Sequence, residues 1–184
     1  MQKMPMRMTL AVHATQEDAA LECLLADATE ATAVYAQLAG VDCPELVRAH
    51  CGRDLAGCSA VLLALRLGER GHATEETPLA YAEPGAGVYA IIAVDGEPGI
   101  AAHAVTELED ACDARGLVWR GCVTVGDAAL LPRVARQPRM GWARRRISEA
   151  VDGLLVALLA KADAGEKYVR PSLYARLIGA LSRP

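Results

Sequence analysis

The sequence predicts a single α/β domain built on a parallel β-sheet. Residues 58–65 and 88–94 are short, uninterrupted apolar runs bounded by polar, glycine and proline residues, which is typical of strands that helices cover on both faces. Segments with helical spacing of apolar residues alternate with such runs, as in βαβ units. The chain has 184 residues, of which 53% are hydrophobic, enough for one domain with its own core. Parallel sheets bind ligands at the carboxyl ends of their strands, so function is expected after Leu65 and Val94.

The first part of the chain predicts two strands and two helices. Residues 8–13 form the first strand, and Thr15 with Asp18 resembles a capping box that starts a helix. That helix carries apolar residues at helical spacing: Leu21, Leu24, Leu25 and Ala28. Residues 32–36 predict the second strand, which ends before Gly40. A short helix is predicted over residues 44–50, because proline and an acidic residue favour the first turn of a helix.

The remaining elements follow in chain order. They are a third strand at 58–65, a connection at 66–87 with a short helix near 74–81, a fourth strand at 88–94, a turn at 95–99, a helix from 101 to before 116, a fifth strand at 117–125, a long helix at 143–164 and a tail helix at 171–181. We therefore expect one domain over residues 1–184, with its C-terminal tail helix at about 168–184.

Composition and charge exclude some classes of partner. The formal net charge is −4, which gives the chain no general attraction to nucleic acid or to acidic membranes. The apolar run at 154–160 is far shorter than the roughly 20 residues of a membrane-spanning helix, and the first residues do not resemble a secretory signal. We therefore expect a cytoplasmic protein without a membrane partner.

The six cysteines are predicted to be buried, reduced thiols that act as small hydrophobic residues. They stand at positions 23, 43, 51, 58, 112 and 122, without a Cys-x-x-Cys pair or the spacing of a zinc site. The alternative is a redox or metal cluster formed by Cys43, His50, Cys51 and Cys58.

Two parts of the chain resemble the flavodoxin-like NAD(P)H-dependent flavin reductases. One is Asp-Leu-Ala-Gly-Cys-Ser-Ala-Val-Leu-Leu at 54–63, and the other is Gly-Val-Tyr-Ala-Ile-Ile at 87–92 followed by Gly-Leu-Val-Trp-Arg-Gly-Cys-Val-Thr-Val-Gly at 116–126. The resemblance implies a flavodoxin-like three-layer sandwich with a five-stranded parallel sheet in the order 2-1-3-4-5. It also implies an oxidoreductase that uses flavin mononucleotide (FMN) and a nicotinamide cofactor.

The resemblance also implies where the flavin would bind. The phosphate would meet backbone groups of the loop after the first strand, the ring those after the third strand, and the polar edge of the ring those after the fourth. In this chain these are, in turn, Ala14, Thr15 and Gln16; Arg66, Leu67 and Gly68; and Asp95, Gly96 and Glu97.

The phosphate loop departs from the family pattern. It contains no glycine, and Glu17 and Asp18 place two carboxylates where a phosphate needs free backbone N–H groups. Thr15 is expected to cap the helix instead of binding phosphate, and no aromatic residue follows the third strand. We therefore expect a degenerate site that binds FMN weakly if at all. The alternative function is a non-catalytic, homodimeric binding or assembly module that has lost the flavin site.

Two further features bear on ligands and partners. Arginines crowd around Trp142 at positions 133, 136, 139, 144, 145 and 146 without an acidic residue among them. A solvated loop is the favoured interpretation, and a site for a nucleotide phosphate, an acidic partner or RNA is the alternative. A homodimer is expected, with contacts from the connection at 66–87 or from the tail, whose apolar stripe is Leu173, Leu177 and Leu181.

Overall fold

A parallel β-sheet forms the centre of the molecule. The computed structural model describes residues 9–14, 18–49, 52–68 and 78–181. Within them six strands pair in the order β2-β1-β3-β4-β5-β6, and every pair is parallel. The strands are β1 Thr9–Ala14, β2 Glu45–Ala49, β3 Ala60–Leu67, β4 Gly87–Val94, β5 Val118–Val125 and β6 Gly165–Val169. The prediction of an α/β domain with a parallel sheet is confirmed.

Helices cover both faces of this sheet. The helices of the described chain are α1 Ala19–Ala39, α2 Ala102–Asp113, α3 Leu131–Val134, α4 Arg145–Leu159 and α5 Leu173–Leu181, with short 3-10 helices at Gly52–Leu55, Pro78–Tyr81, Pro98–Ala101 and Ala128–Leu130. The face coverage comes from α1 and α4 on one side and α2 on the other. Side chains alternate between the faces, so Leu62 packs with α1 and α4 while Leu63 packs with α2. The aliphatic core is therefore split by the sheet into two layers.

The predicted second strand is wrong. Residues 32–36 lie inside α1, where the Thr32 hydroxyl donates to the carbonyl of Ala28 at 2.7 Å. Gly40 does not end a strand. It ends the helix in the left-handed conformation, at φ 64°, which glycine adopts without steric cost.

The second strand is instead formed where a short helix was predicted. Glu45–Ala49 is the edge strand β2, which pairs with β1 in a register that sets Val47 opposite Ala11. His50, the last residue of the predicted helix, lies outside the described residues. Because β2 has one neighbour in the sheet, its strand conformation depends on pairing with β1.

The sheet has one more strand than the predicted five. The predicted helix at 143–164 ends earlier, at Leu159, and the chain then forms β6 before the tail. Gly121 permits this pairing: a Cβ at its φ of 113° would stand 2.2 Å from the carbonyl oxygen of Gly165. The tail helix itself is present as α5, whereas Tyr168 belongs to β6.

The other predicted elements are present with small shifts in their bounds. Strands β3, β4 and β5 and helix α2 occupy the predicted segments to within about two residues. The short helix predicted near 74–81 is a 3-10 helix at Pro78–Tyr81, and residues 74–77 lie outside the described part of the chain.

Candidate functional site

The carboxyl edge of the sheet is the place where this fold would bind a ligand. All strands run in parallel, so the residues that follow β1, β3, β4 and β5 meet at one edge. The chain passes from β1 to β2 on one side and reaches β3 on the other. The strand order therefore reverses between β1 and β3, and such a switch point opens a crevice at the carboxyl edge.

A carboxylate occupies the start of α1 at this switch point. Asp18 is the N-cap of α1, and its Oδ1 accepts hydrogen bonds from the backbone N–H groups of Ala20 at 2.8 Å and Leu21 at 3.0 Å. These are donors that a bound phosphate would use. The expectation that acidic residues satisfy this helix end is confirmed for Asp18. The prediction that Thr15 caps the helix is wrong, because α1 begins at Ala19 and Asp18 is its N-cap.

The guanidinium of Arg66 lies beside Asp18 and has acceptors for only some of its N–H groups. Its side chain is 12% exposed, with Nε 3.6 Å from Oδ2 of Asp18 and Nη2 donating to Oδ2 of Asp95 at 2.7 Å. Its Nη1 is buried and has no hydrogen-bond partner among the described residues. A buried donor without an acceptor is costly, so Arg66 offers a hydrogen bond to an incoming acceptor.

The loops after β4 and β5 are bonded to each other. Oδ1 of Asp95 accepts from the backbone of Ala129 at 3.2 Å, and the carbonyl of Gly96 accepts from the backbone of Asp127 at 2.9 Å. Asp127 has a φ of 49°, in the left-handed region that is uncommon for a residue with a side chain. These contacts fix the loops as one unit beside Arg66.

A second charged cluster continues along the edge toward α5. Arg170, directly after β6, donates to Oδ2 of Asp127 at 2.7 Å and forms an ion pair with Glu97. Arg176 of α5 reaches the same Asp127 oxygen at 3.1 Å. The cluster ties the tail to the loops after β4 and β5.

The structure brings several of the predicted flavin-site residues together. Arg66, Asp95, Gly96 and Glu97 all lie on this edge. Ala14 ends β1 on the same edge, and Gly68 follows β3 as an exposed residue. Thr15 and Gln16 lie outside the described residues.

Leu67 was predicted to contribute its backbone groups, and its side chain lies away from solvent. The side chain of Leu67 is buried in the core layer of α2. Only the backbone groups of Leu67 could therefore contact a ligand at this edge.

The sequence reasoning missed Asp127, Arg170 and Arg176. Asp127 could have been found, because it comes two residues after the predicted fifth strand. Arg170 could not, because the strand that places it was not predicted.

The arginine-rich segment has a structural role at two of its positions. Arg144 and Arg139 form ion pairs with Asp27 of α1 and Asp152 of α4. The hydroxyl of Tyr35 donates to Asp152 at 3.0 Å, and this hydrogen bond raises the pKa of Tyr35. For Arg139 and Arg144 the prediction of a solvated loop is therefore wrong. Arg145 is exposed and pairs with Glu149 one turn along α4.

Three cysteines are buried free thiols. Cys58, Cys112 and Cys122 lie in the core layer of α2, and burial raises the pKa of Cys112 to about 11 and that of Cys122 to about 12. Such thiols stay protonated and act as small hydrophobic groups. In the part of the chain that the structure describes, no group of three His, Cys, Asp or Glu side chains could hold a metal ion, and His50 and Cys51 lie outside it.

Comparisons with known proteins give no relative. No protein-family model, curated protein or solved structure matches this chain. Among the described residues, no helix has the length and apolar character needed to cross a bilayer.

Proposed function

We propose that this chain is a flavodoxin-like protein, similar to NAD(P)H-dependent FMN reductases, that binds FMN weakly at its carboxyl edge. In the order β2-β1-β3-β4-β5-β6, the first five strands follow the order of the flavodoxin-like fold. The segments at 54–63 and 87–126 that resemble the family form β3, β4, α2 and β5. The proposal on affinity rests on one observation, the Asp18 carboxylate at the start of α1.

The phosphate of FMN fits poorly at this position. The backbone donors of Ala20 and Leu21 already bond to Asp18, and its negative charge would oppose a phosphate. Arg66 partly offsets that charge, and its Nη1 has no acceptor among the residues that the structure describes, so the affinity is reduced but not abolished.

Titration of the protein with FMN, followed by the quenching of flavin fluorescence, tests the proposal. We expect a dissociation constant above the micromolar range. Asp18→Asn removes the charge but keeps a cap, whereas Asp18→Gly removes both and costs the helix only a few tenths of a kcal/mol. FMN should therefore bind most tightly to the glycine variant, by about tenfold over the original chain.

Asp163→Gly is the matched control, since Asp163 pairs with Arg120 on the surface near the end of α4. It should leave FMN binding unchanged. Purification of the original chain as a stoichiometric yellow complex would contradict the proposal, and so would equal FMN affinities of the Asp18 variants and the original chain.

A non-catalytic binding or assembly module is the second candidate. It is favoured by the second charged cluster, in which Arg170 already pairs with Glu97 and Asp127. The charged side chains that could otherwise bind a ligand at this edge therefore form ion pairs with each other. Oxidation of NADH or NADPH in the presence of saturating FMN separates the two candidates: turnover above the protein-free rate supports a reductase, and its absence supports the module.

A further inference from the structure

An apolar surface projects from the tail helix at the side of the domain. The indole of Trp142 and the ring of Tyr174 stack with centroids 5.2 Å apart and planes 8° from parallel. Leu173 and Leu177 lie on α5 next to Tyr174, one and three residues away, and are 72% and 63% exposed. We call these four side chains the α5 face. An exposed apolar patch of this size is often an interaction site.

The two exposed leucines of the α5 face are not needed to attach α5 to its own domain. Ala175, 2% exposed, packs with Val134 and Ala143 in a small separate core. Arg176 bonds to Asp127, and the Ser172 hydroxyl accepts from the backbone of Ala175 at 3.3 Å. A helix of nine residues is marginal in water and depends on packing, yet Leu173 and Leu177 leave most of their surface in water.

A cavity lies beside the stacked rings. It has a volume of about 340 Å³ and is lined by Val134, Pro138, Trp142 and Tyr174 with Arg133 and Gln137. Its volume corresponds to roughly ten water molecules, which is enough for a leucine side chain. One surface thus carries both a protruding leucine pair and a cavity that could receive such a side chain.

We propose that a second copy of this chain covers the α5 face, forming a dimer with two-fold symmetry. In a two-fold interface the same patch must be complementary to itself, because each residue that inserts into the partner receives the equivalent residue in return. Leu173 or Leu177 of each copy enters the cavity beside Trp142 and Tyr174 of the other. The four side chains of the α5 face carry no charge, and Arg133 in the cavity wall is the charged residue that the entering leucine approaches.

The exposed area indicates the strength of this dimer. The two rings, 77% and 51% exposed, would bury roughly 250 Å² on each copy, and the two leucines would add roughly 150 Å². This is about half of the roughly 800 Å² that each partner buries in an interface of standard size. We therefore expect a dissociation constant in the micromolar range.

Sedimentation velocity of the full chain between about 1 and 100 μM tests the dimer without any flavin. The original chain should pass from monomer to dimer over this range. Leu177→Glu places two carboxylates in the interface and should raise the dissociation constant about a hundredfold. Leu38→Glu is the matched control, because Leu38 is also a largely exposed leucine, 75%, and lies near the C-terminal end of a different helix, α1; it should leave the dimer intact.

Fluorescence of Trp142 provides a second measurement. In a Trp119→Phe variant, Trp142 is the remaining tryptophan, and its emission should shift to shorter wavelength as the concentration rises and the indole leaves water. A monomer at 100 μM would overturn the proposal. A dimer that survives Leu177→Glu would also overturn it, as would one that Leu38→Glu dissolves.

Discussion

Replacement of Asp27 with alanine tests the role of the buried ion pair between α1 and the segment before α4. The side chains of Asp27 and Arg144 are each 8% exposed. Arg144 also donates from Nη1 to the carbonyls of Ala135 at 2.9 Å and Gln137 at 3.3 Å. Without Asp27, these two neutral acceptors remain, and Arg139 brings a second positive charge nearby.

The expected loss is large for a single substitution. Removing one partner of a buried ion pair leaves an uncompensated charge and costs about 3–5 kcal/mol. That is a substantial part of the roughly 5–15 kcal/mol by which a native domain is stable. For a chain of this length it corresponds to a fall in Tm of about 10 °C.

Urea unfolding followed by circular dichroism measures the effect as a change in midpoint at constant slope. Glu149→Ala is the control, because Glu149 and its partner Arg145 are exposed and solvent screens such a surface pair. If Asp27→Ala falls within about 1 kcal/mol of the control, the reasoning is wrong. The double variant Asp27→Leu/Arg144→Met removes both charges and should regain much of the loss.

Two further predictions concern stability. The raised pKa values of Cys112 and Cys122 mean that the folded state holds these protons more tightly than the unfolded state, whose thiols titrate near 9. Their contribution to the free energy of unfolding is complete below about pH 9. As the pH rises above 9, this free energy falls by at most about 1.4 kcal/mol per pH unit for each thiol, until the pH reaches the pKa of that thiol in the folded state. Cys112→Ala should flatten this fall in urea titrations between pH 9 and 10.5, and an unchanged slope would count against it. In urea unfolding, Gly121→Ala should destabilise the chain by about 2 kcal/mol or more, because its Cβ would overlap the backbone of Gly165. Gly99→Ala, with nothing within 4 Å, should be close to neutral in the same measurement.

The interior of the sheet was predictable from the sequence. β3 and β4 are almost entirely buried, and an uninterrupted apolar run predicts a strand that is buried on both faces. Helix α2 was predictable because its buried residues recur at helical spacing between a turn and Gly116. For these elements the local pattern and the tertiary environment agree.

The edges of the sheet were not predictable in the same way. Residues 32–36 have strand-forming side chains, but Ala28, Ala31 and Ala36 continue the buried face of α1 and outweigh that preference. β6 is a polar, largely exposed segment, so the sequence shows no apolar run there. An edge strand forms through hydrogen bonds to its neighbour, which no local pattern records.

The sequence alone determined the class of the fold, the central strands and the edge at which Arg66, Asp95 and Glu97 gather. It also placed acidic residues at the start of α1, because helix capping depends on residues that are close in sequence. The tertiary structure decided the partners of the arginines. Asp27 and Arg144 are 117 residues apart, and Arg170 meets Glu97 across 73 residues. Such pairs depend on how the helices and loops pack on the sheet. For this reason the composition of the arginine-rich segment predicts a solvated loop, whereas packing places Arg144 in a buried ion pair with Asp27.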